Sequence, residues 1–252
     1  MLEVGFETLL LLLAAGFAAG FIDAIAGGGG LITVPVLLLA GANPVTALST
    51  NKIQGLFGAA TAAATYARAG HVDLKAQVGP ALIAFAAAVA GAFLVAYLPT
   101  EWIRMILPVL LIGIAVFFAL KKGLGDLDRH RRLSPALFTA TMIPLCGAYD
   151  GLLGPGAGSF YMLAFVSLAG YGILKATAHT KLLNFASNAG GLVAFSFFAT
   201  PWWITGLLMG CAQIAGARAG AGLAKKQGAR VIKPLLVVTS VSLAAKLLWD
   251  MV

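Results

Sequence analysis

Twenty-three residues, Ala76 to Leu98, pass without a charged side chain, and a second charge-free run covers the eighteen residues from Leu182 to Ala199. Crossing about 30 Å of hydrocarbon takes roughly 20 residues of helix. Such runs belong in a bilayer or at the centre of a large soluble core, and composition decides between the two. Only 10% of the 252 residues are charged and 60% are hydrophobic, with a mean hydropathy of +0.96. A soluble domain carries about 25% charged residues, so this chain cannot cover a water-facing surface. The ten-residue alternation of a membrane β-barrel is missing from the sequence. The sequence predicts an all-α polytopic membrane protein.

The net charge of +8 follows from the placement of basic residues in short loops, as the positive-inside rule requires. It does not point to nucleic acid. Full-length spans are predicted at 45–67, 76–98, 102–120, 182–199, 201–223 and 234–252. The link 121–133 carries Lys121, Lys122, Arg129, Arg131 and Arg132 against Asp126 and Asp128; the link 225–233 carries Lys225, Lys226, Arg230 and Lys233. With Arg68 and Lys75 in the turn 68–75, these three loops are placed in the cytoplasm, and 171–180 is read as a further cytoplasmic loop. The start of the chain, with Glu3 and Glu7, lacks the basic n-region of a cleaved signal peptide, and both termini are predicted extracytoplasmic. Trp102, Trp202 and Trp203 fall at span ends, as interface anchors do. Cys146 and Cys211 have no metal-ligand spacing and are expected to be small packing residues.

Two regions fit no simple span. Gly20-Phe21-Ile22-Asp23-Ala24-Ile25-Ala26-Gly27-Gly28-Gly29-Gly30 recurs, at an offset of 127, as Gly147-Ala148-Tyr149-Asp150-Gly151-Leu152-Leu153-Gly154-Pro155-Gly156-Ala157. A charge and a helix breaker are both costly in lipid, and a matched pair of them marks a transporter's binding site. The apolar pieces around each cluster, about 18 and 11 residues and then about 15 and 12, are short for two spans. They are read as re-entrant hairpins, since bare backbone at that depth must line a cavity or be covered by protein. The result is two inverted-topology repeats, each a broken helical hairpin followed by three transmembrane helices. Repeat 1 is 1–133, with hairpin 5–41, spans 45–67, 76–98 and 102–120 and the link 121–133. Repeat 2 is 134–252, with hairpin 135–170 and spans 182–199, 201–223 and 234–252.

The half-helix that starts after each glycine cluster turns free N–H groups and a positive dipole end towards the tip, and glycine lets an anion approach that backbone closely. Gly29, Gly30, Gly156 and Gly158 are therefore candidate substrate contacts. A second polar cluster follows each hairpin. In the first half it supplies Asn51, Lys52 and Gln54; in the second, Thr180, Lys181, Asn184 and Asn188. Lys52 and Lys181 correspond at an offset of 129. Asn184 and Asn188 are four residues apart and share a helix face, as Asn51 and Gly55 do. Asp23 and Asp150 sit at the C-terminal end of a half-helix, where the dipole opposes negative charge, so each must be paired, hydrated or protonated. The lysines are the available partners. Asp23, Asp150 and His179 are the candidates for carrying a coupling proton. Lys246 and Asp250, four apart, are expected to pair locally.

The segment Gly20–Gly58, with Asp-x3-Gly-Gly-Gly-Gly and Thr-Asn-Lys-Ile-Gln, resembles the first half of the sulfite exporter TauE/SafE family, also called the toluene sulfonate uptake permease family. Tyr149–Gly191, with Asp-Gly-x2-Gly-Pro-Gly-x-Gly and Thr-Lys-Leu-Leu-Asn-Phe-x-Ser-Asn, resembles its second half. The resemblance implies a multi-pass permease of the bacterial inner membrane that handles small sulfur-containing anions or related carboxylates.

The function expected is a secondary transporter, working as an exporter, of anions such as sulfite or sulfoacetate, with alternating access about a midplane site between the hairpin tips. No enzyme activity, metal or cofactor is expected, and no G-x4-G-K-[ST] nucleotide motif is present. The expected partners are the small anion and the lipid bilayer, without nucleic acid, and a homodimer is compatible with the sequence. The alternatives are an anion channel of the same architecture or an intramembrane aspartyl protease with Asp23 and Asp150 as its dyad.

Overall fold

The computed structural model describes residues 3–95 and 125–249, with Ile112, Val116, Phe117 and Leu120 between them. The expected span 102–120, Trp102 and the Lys246–Asp250 pair lie largely or wholly outside the described residues. Among the described residues the chain is all helical. The helices are α1 (Phe6–Ala26), α2 (Gly30–Leu39), α3 (Pro44–Arg68), α4 (Val78–Leu94), α5 (Pro135–Leu152), α6 (Ala157–Ala164), α7 (Ile173–Phe195), α8 (Trp203–Gln227) and α9 (Ala229–Trp249). A π-helical turn, Phe165–Ala169, continues α6.

Local chemistry sets the boundaries. Asn43 caps α3 by accepting from the Thr46 N–H at 2.9 Å, and Pro44 takes the first helical position, where its missing N–H does no harm. Ser134 and Pro135 start α5 in the same way. Glu3 caps α8 from a distance, accepting from the N–H groups of Ile204 and Thr205 at 3.1 and 3.2 Å and from the Thr205 hydroxyl at 2.9 Å. α1 ends where Gly27 turns to φ +80°, and the turn after α5 needs Gly154 and Gly156 at φ +87° and +85°.

Helix pairing is reciprocal between the two halves of the chain. α1 packs on α8 and α5 on α4; α3 packs on α8 and α7 on α4; and α3 and α7 pack on each other. Glycine brings the backbones together. A Cβ at Gly220 would run into the Phe21 carbonyl, and at the matching position, Gly91, into that of Ala148. A Cβ at Gly147 would come within 2.8 Å of the Ala84 carbonyl oxygen, and the corresponding Gly20 lies as tightly against Gln213. Small residues at such crossings are how helices associate where no hydrophobic driving force separates them from their surroundings.

The connections gather at two ends. At one, Thr46 and Thr50 bond Thr200 and Trp202, Glu3 bonds Ile204 and Thr205, and Val4, Leu37 and Ala42 share an apolar cluster. At the other, Asp126 accepts from the N–H groups of Leu174 and Ala229, Asp128 from Gly172, and Arg129 N–H bonds the Gly170 carbonyl. Both arms of the first hairpin, α1 and α2, start and finish at the first end. The arms of the second, α5 and α6, start and finish at the other, where Arg132 and Leu133 donate to the Leu168 carbonyl.

α1 is 21 residues long, continuing through Asp23 to Ala26. Among the described residues it is the one helix that length and apolarity alone would carry across a membrane. α5 has 18 residues and likewise runs past Asp150. The segment 171–180 is no loop: α7 begins at Ile173 and carries His179, Thr180 and Lys181 within it. Cys146 is buried as expected, but Cys211 is exposed on α8.

Candidate functional site between the hairpin tips

The two glycine turns meet. A Cβ at Gly27 would lie 2.7 Å from the Gly158 carbonyl carbon, one at Gly158 would lie 2.8 Å from Gly27 Cα, and Ser159 Oγ donates to the Ala26 carbonyl at 3.3 Å. A tyrosine hydroxyl braces the backbone at each tip, from α3 in the first half and from within the hairpin in the second. Tyr66 donates to the Ala24 carbonyl at 2.8 Å and Tyr149 to the Pro155 carbonyl at 2.7 Å.

The ion pairs cross between halves. Lys52 of α3 donates to Asp150 Oδ1 of α5 at 2.5 Å and also to the Asp150 main-chain carbonyl. Lys181 of α7 donates to Asp23 Oδ2 of α1 at 3.1 Å and to the Asp23 main-chain carbonyl. Each ammonium thus neutralises a carboxylate and also meets a carbonyl at the negative end of the helix that carries it. The mode explains how both helices pass through their aspartates. It also explains why neither lysine reaches for an interface: Lys52 and Lys181 are 1% and 0% exposed. The remaining carboxylate oxygens are treated differently. Asp150 Oδ2 accepts from the Ser187 hydroxyl, whereas Asp23 Oδ1 accepts from the Gly29 N–H at 3.2 Å.

Between the tips lies a polar cavity of about 30 Å³. Asp23, Gly28, Gly29, Gly30 and Asn51 line one side, and Asp150, Gly154, Gly156, Ala157, Gly158, Asn184 and Asn188 the other, with Gly55 and Gln213 completing it. An amide chain runs behind Asn51. Its Oδ1 accepts from Thr33 Oγ1 at 2.7 Å and Gln54 Nε2 at 3.2 Å, and Gln213 Nε2 donates to Gln54 Oε1 at 3.0 Å. Asn184 Oδ1 is buried with no hydrogen-bond partner, an acceptor left over at the cavity wall.

The structure brings Asn51, Asn184, Asn188, Gly29, Gly30, Gly156, Gly158, Asp23 and Asp150 together around this cavity. Lys52 and Lys181 stand behind the aspartates, Gln54 behind Asn51, and Thr180 is buried with its hydroxyl unpartnered. His179 is elsewhere. Its ring sits 4.9 Å from that of Tyr171 and 5.7 Å from that of Phe165, beside a second cavity of about 260 Å³ that Gln77, Arg131 and Phe138 also line. Sequence reasoning missed Gln213, Tyr66 and Tyr149. Gln213 was open to discovery as a lone amide in an apolar stretch of α8; Tyr149 stood beside Asp150 inside the second motif, whereas Tyr66 lay apart from any motif and gave no signal.

A family model described as Sulfite exporter TauE/SafE matches residues 12–247. A probable membrane transporter protein, ORF9, of Sinorhizobium sp is 54% identical over 250 residues, covering 99% of this chain and 96% of the relative. The probable membrane transporter protein YfcA of Escherichia coli K12 is 45% identical over 232 residues, covering 92% and 86%. A probable membrane transporter protein of Haemophilus influenzae Rd is 38% identical over 249 residues, covering 99% and 98%. No solved structure shows a significant match. With the family model matching nearly the whole chain and these relatives aligned over most of their length, the chain belongs to the sulfite exporter TauE/SafE family of membrane transporters.

Proposed function

We propose that the chain is a secondary transporter that exports small sulfur-containing organic or inorganic anions, such as sulfite or sulfoacetate, across the bacterial inner membrane. The observation that carries this reading is the cavity between the two glycine turns. It is polar, lined by bare backbone, amides and the carboxylates of Asp23 and Asp150, and lies where the two glycine turns meet. Irregular backbone deep in a membrane protein is tolerated where it lines such a cavity. Its positive dipole ends, at the starts of α2 and α6, suit an anion.

The reciprocal helix pairing and the opposite starting ends of the two hairpins support a pair of inverted repeats. At about 30 Å³ the cavity has room for about two water molecules, so the structure is read as the closed state between two openings. The glycines let an anion near the backbone, and Asn51, Asn184 and Asn188 donate to it from both halves. The membership of the family named for sulfite export supports the choice of sulfur anions.

Counterflow in proteoliposomes tests the reading. Labelled sulfite should enter vesicles preloaded with unlabelled sulfite, saturably, with competition from thiosulfate or sulfoacetate and weak competition from acetate and pyruvate. Flux that never saturates and carries current would make the protein a channel. No flux for any of these anions would end the sulfur-anion reading.

A further inference from the structure

The walls of the central cavity carry an unequal pair of carboxylates. Asp150 is closed off on both oxygens, by Lys52 on Oδ1 and the Ser187 hydroxyl on Oδ2, and its side chain is 3% exposed. Asp23 is held at longer range, by Lys181 at 3.1 Å and the Gly29 N–H at 3.2 Å, and its side chain is 18% exposed. The offset of 129 that aligns Lys181 with Lys52 aligns Ser187 with Gly58, so the first half has no hydroxyl to give Asp23. A Cβ at Gly58 would instead meet the Gln213 side-chain amide.

Charge then decides what can enter. The two ion pairs sum to zero, both carboxylates line the cavity and both ammoniums stand behind them. An anion entering in this state faces both carboxylates, of which Asp23 is the more exposed, and is repelled by them. We propose that the site takes a singly charged anion together with one proton, that the proton is received by Asp23 Oδ2, and that the released Lys181 ammonium becomes the counter-charge of the anion. The Lys52–Asp150 pair stays ionised throughout and serves as the fixed half of the site. The proton comes from water on the side to which the site is open and returns to water on the other. No bond within the anion changes, and the loaded site is as neutral as the empty one. This rests on the transport site proposed above.

Among the described residues, the titratable groups around Asp23 are Lys181 from α7 and the Tyr66 phenol from α3, bonded at Ala24, with Lys52 and Asp150 across the cavity. α2, α6 and α8 contribute the neutral Thr33, Ser159 and Gln213. α9, whose Ile232 and Leu236 share the core with Ile25, carries Lys233. His179 is set apart with its Nδ1 on the Lys175 carbonyl, 2.9 Å away, and takes no part.

Methanesulfonate binding to the purified protein in nanodiscs tests the proposal, since that anion keeps one charge across the whole pH range of a folded protein. Wild-type affinity should tighten by about tenfold for each pH unit lowered, as one linked proton requires. Asp23→Asn, an imitation of the protonated acid, should bind tightly without that slope, and Ser187→Ala should keep it. The wild-type slope persisting in Asp23→Asn, or vanishing only in Asp150→Asn, would overturn the proposal. If methanesulfonate does not bind, the counterflow experiment above still judges the anion reading, and infrared difference spectra between neutral and acid pH judge the proton. A protonated-carboxyl band that is missing in Asp23→Asn supports it; a band unchanged in that variant, or none in the wild type, overturns it.

Discussion

Lys181 reaches from α7 to the last turn of α1 and there bonds both the carboxylate and the main-chain carbonyl of Asp23. Lys52 does the same to Asp150 at the end of α5. Two lysines thus hold each half of the chain against the other, at the point where each half's first helix breaks.

Removing one partner leaves a buried charge alone, and that is where the pairs should differ. Lys52→Ala is expected to lower unfolding stability by about 3–5 kcal/mol, because Asp150 is closed off from water. Lys181→Ala should lose less, since Asp23 is more exposed and keeps the Gly29 N–H. Lys52→Met combined with Asp150→Asn should recover much of the first loss. Thermal unfolding of the four proteins in one detergent checks the order; a Lys52→Ala protein as stable as the wild type would contradict it.

Glycine at the helix crossings makes a sharper contrast. Gly91→Ala drives a methyl group into the Ala148 carbonyl, where backbone must move, at a cost of about 1–3 kcal/mol. Gly222→Ala on α8 meets nothing within 4 Å, so the ordinary helix preference for alanine should stabilise it by up to about 1 kcal/mol. Melting temperatures of opposite sign are the expected result.

At the tips the same substitution should act on turnover. A Cβ at Gly158 sits 2.8 Å from Gly27 Cα and 2.9 Å from Asn184 Nδ2. Gly158→Ala therefore wedges the turns apart and fills the cavity. Counterflow should fall by at least tenfold while the protein still purifies as a folded monodisperse species. Wild-type counterflow in Gly158→Ala would show that the tips do not form the path.

Asp128 provides a pH test outside the spans. Partial burial pushes its carboxyl up, but the Lys175 bond, the Gly172 N–H and the nearby charges of Lys175 and His179 outweigh it and hold it below the ordinary 3.8. A lowered folded value means that the contribution is complete above 3.8 and is lost as the pH falls below it. The pair is half exposed, at 40% and 50%, so the contribution is at most about 1 kcal/mol. Asp128→Asn should melt slightly earlier than wild type at neutral pH, and the gap should close towards pH 3. A gap that widens in acid would refute this.

The duplicated Asp23 and Asp150, the lysines and the glycine turns were legible because each is expensive in an apolar chain, and cost stands out against alanine and leucine. Which lysine serves which aspartate was not. That pairing joins residues 98 and 158 positions apart, and no local pattern encodes it. The start of α7 was misjudged for a related reason. Lys175, His179 and Lys181 look like a solvated loop when counted as charges, yet Lys181 is neutralised by Asp23 and Lys175 by Asp128, so the helix runs through them. Gln213 matters through Gly20 and Gly58, two helices it touches only once the chain has folded.

The partner of α1 is α8, roughly 200 residues further along the chain. At ribosomal speeds that interval lasts about 10–40 s, during which the glycine face of α1 has no matching surface and Asp23 lacks the lysine that arrives with α7. The emerging first half is therefore an incomplete object, and something other than its final neighbours, whether lipid, water or the insertion machinery, must tolerate a bare acid until the second half is made. A stop codon after residue 133 should leave a fragment that is degraded, not a half-sized transporter.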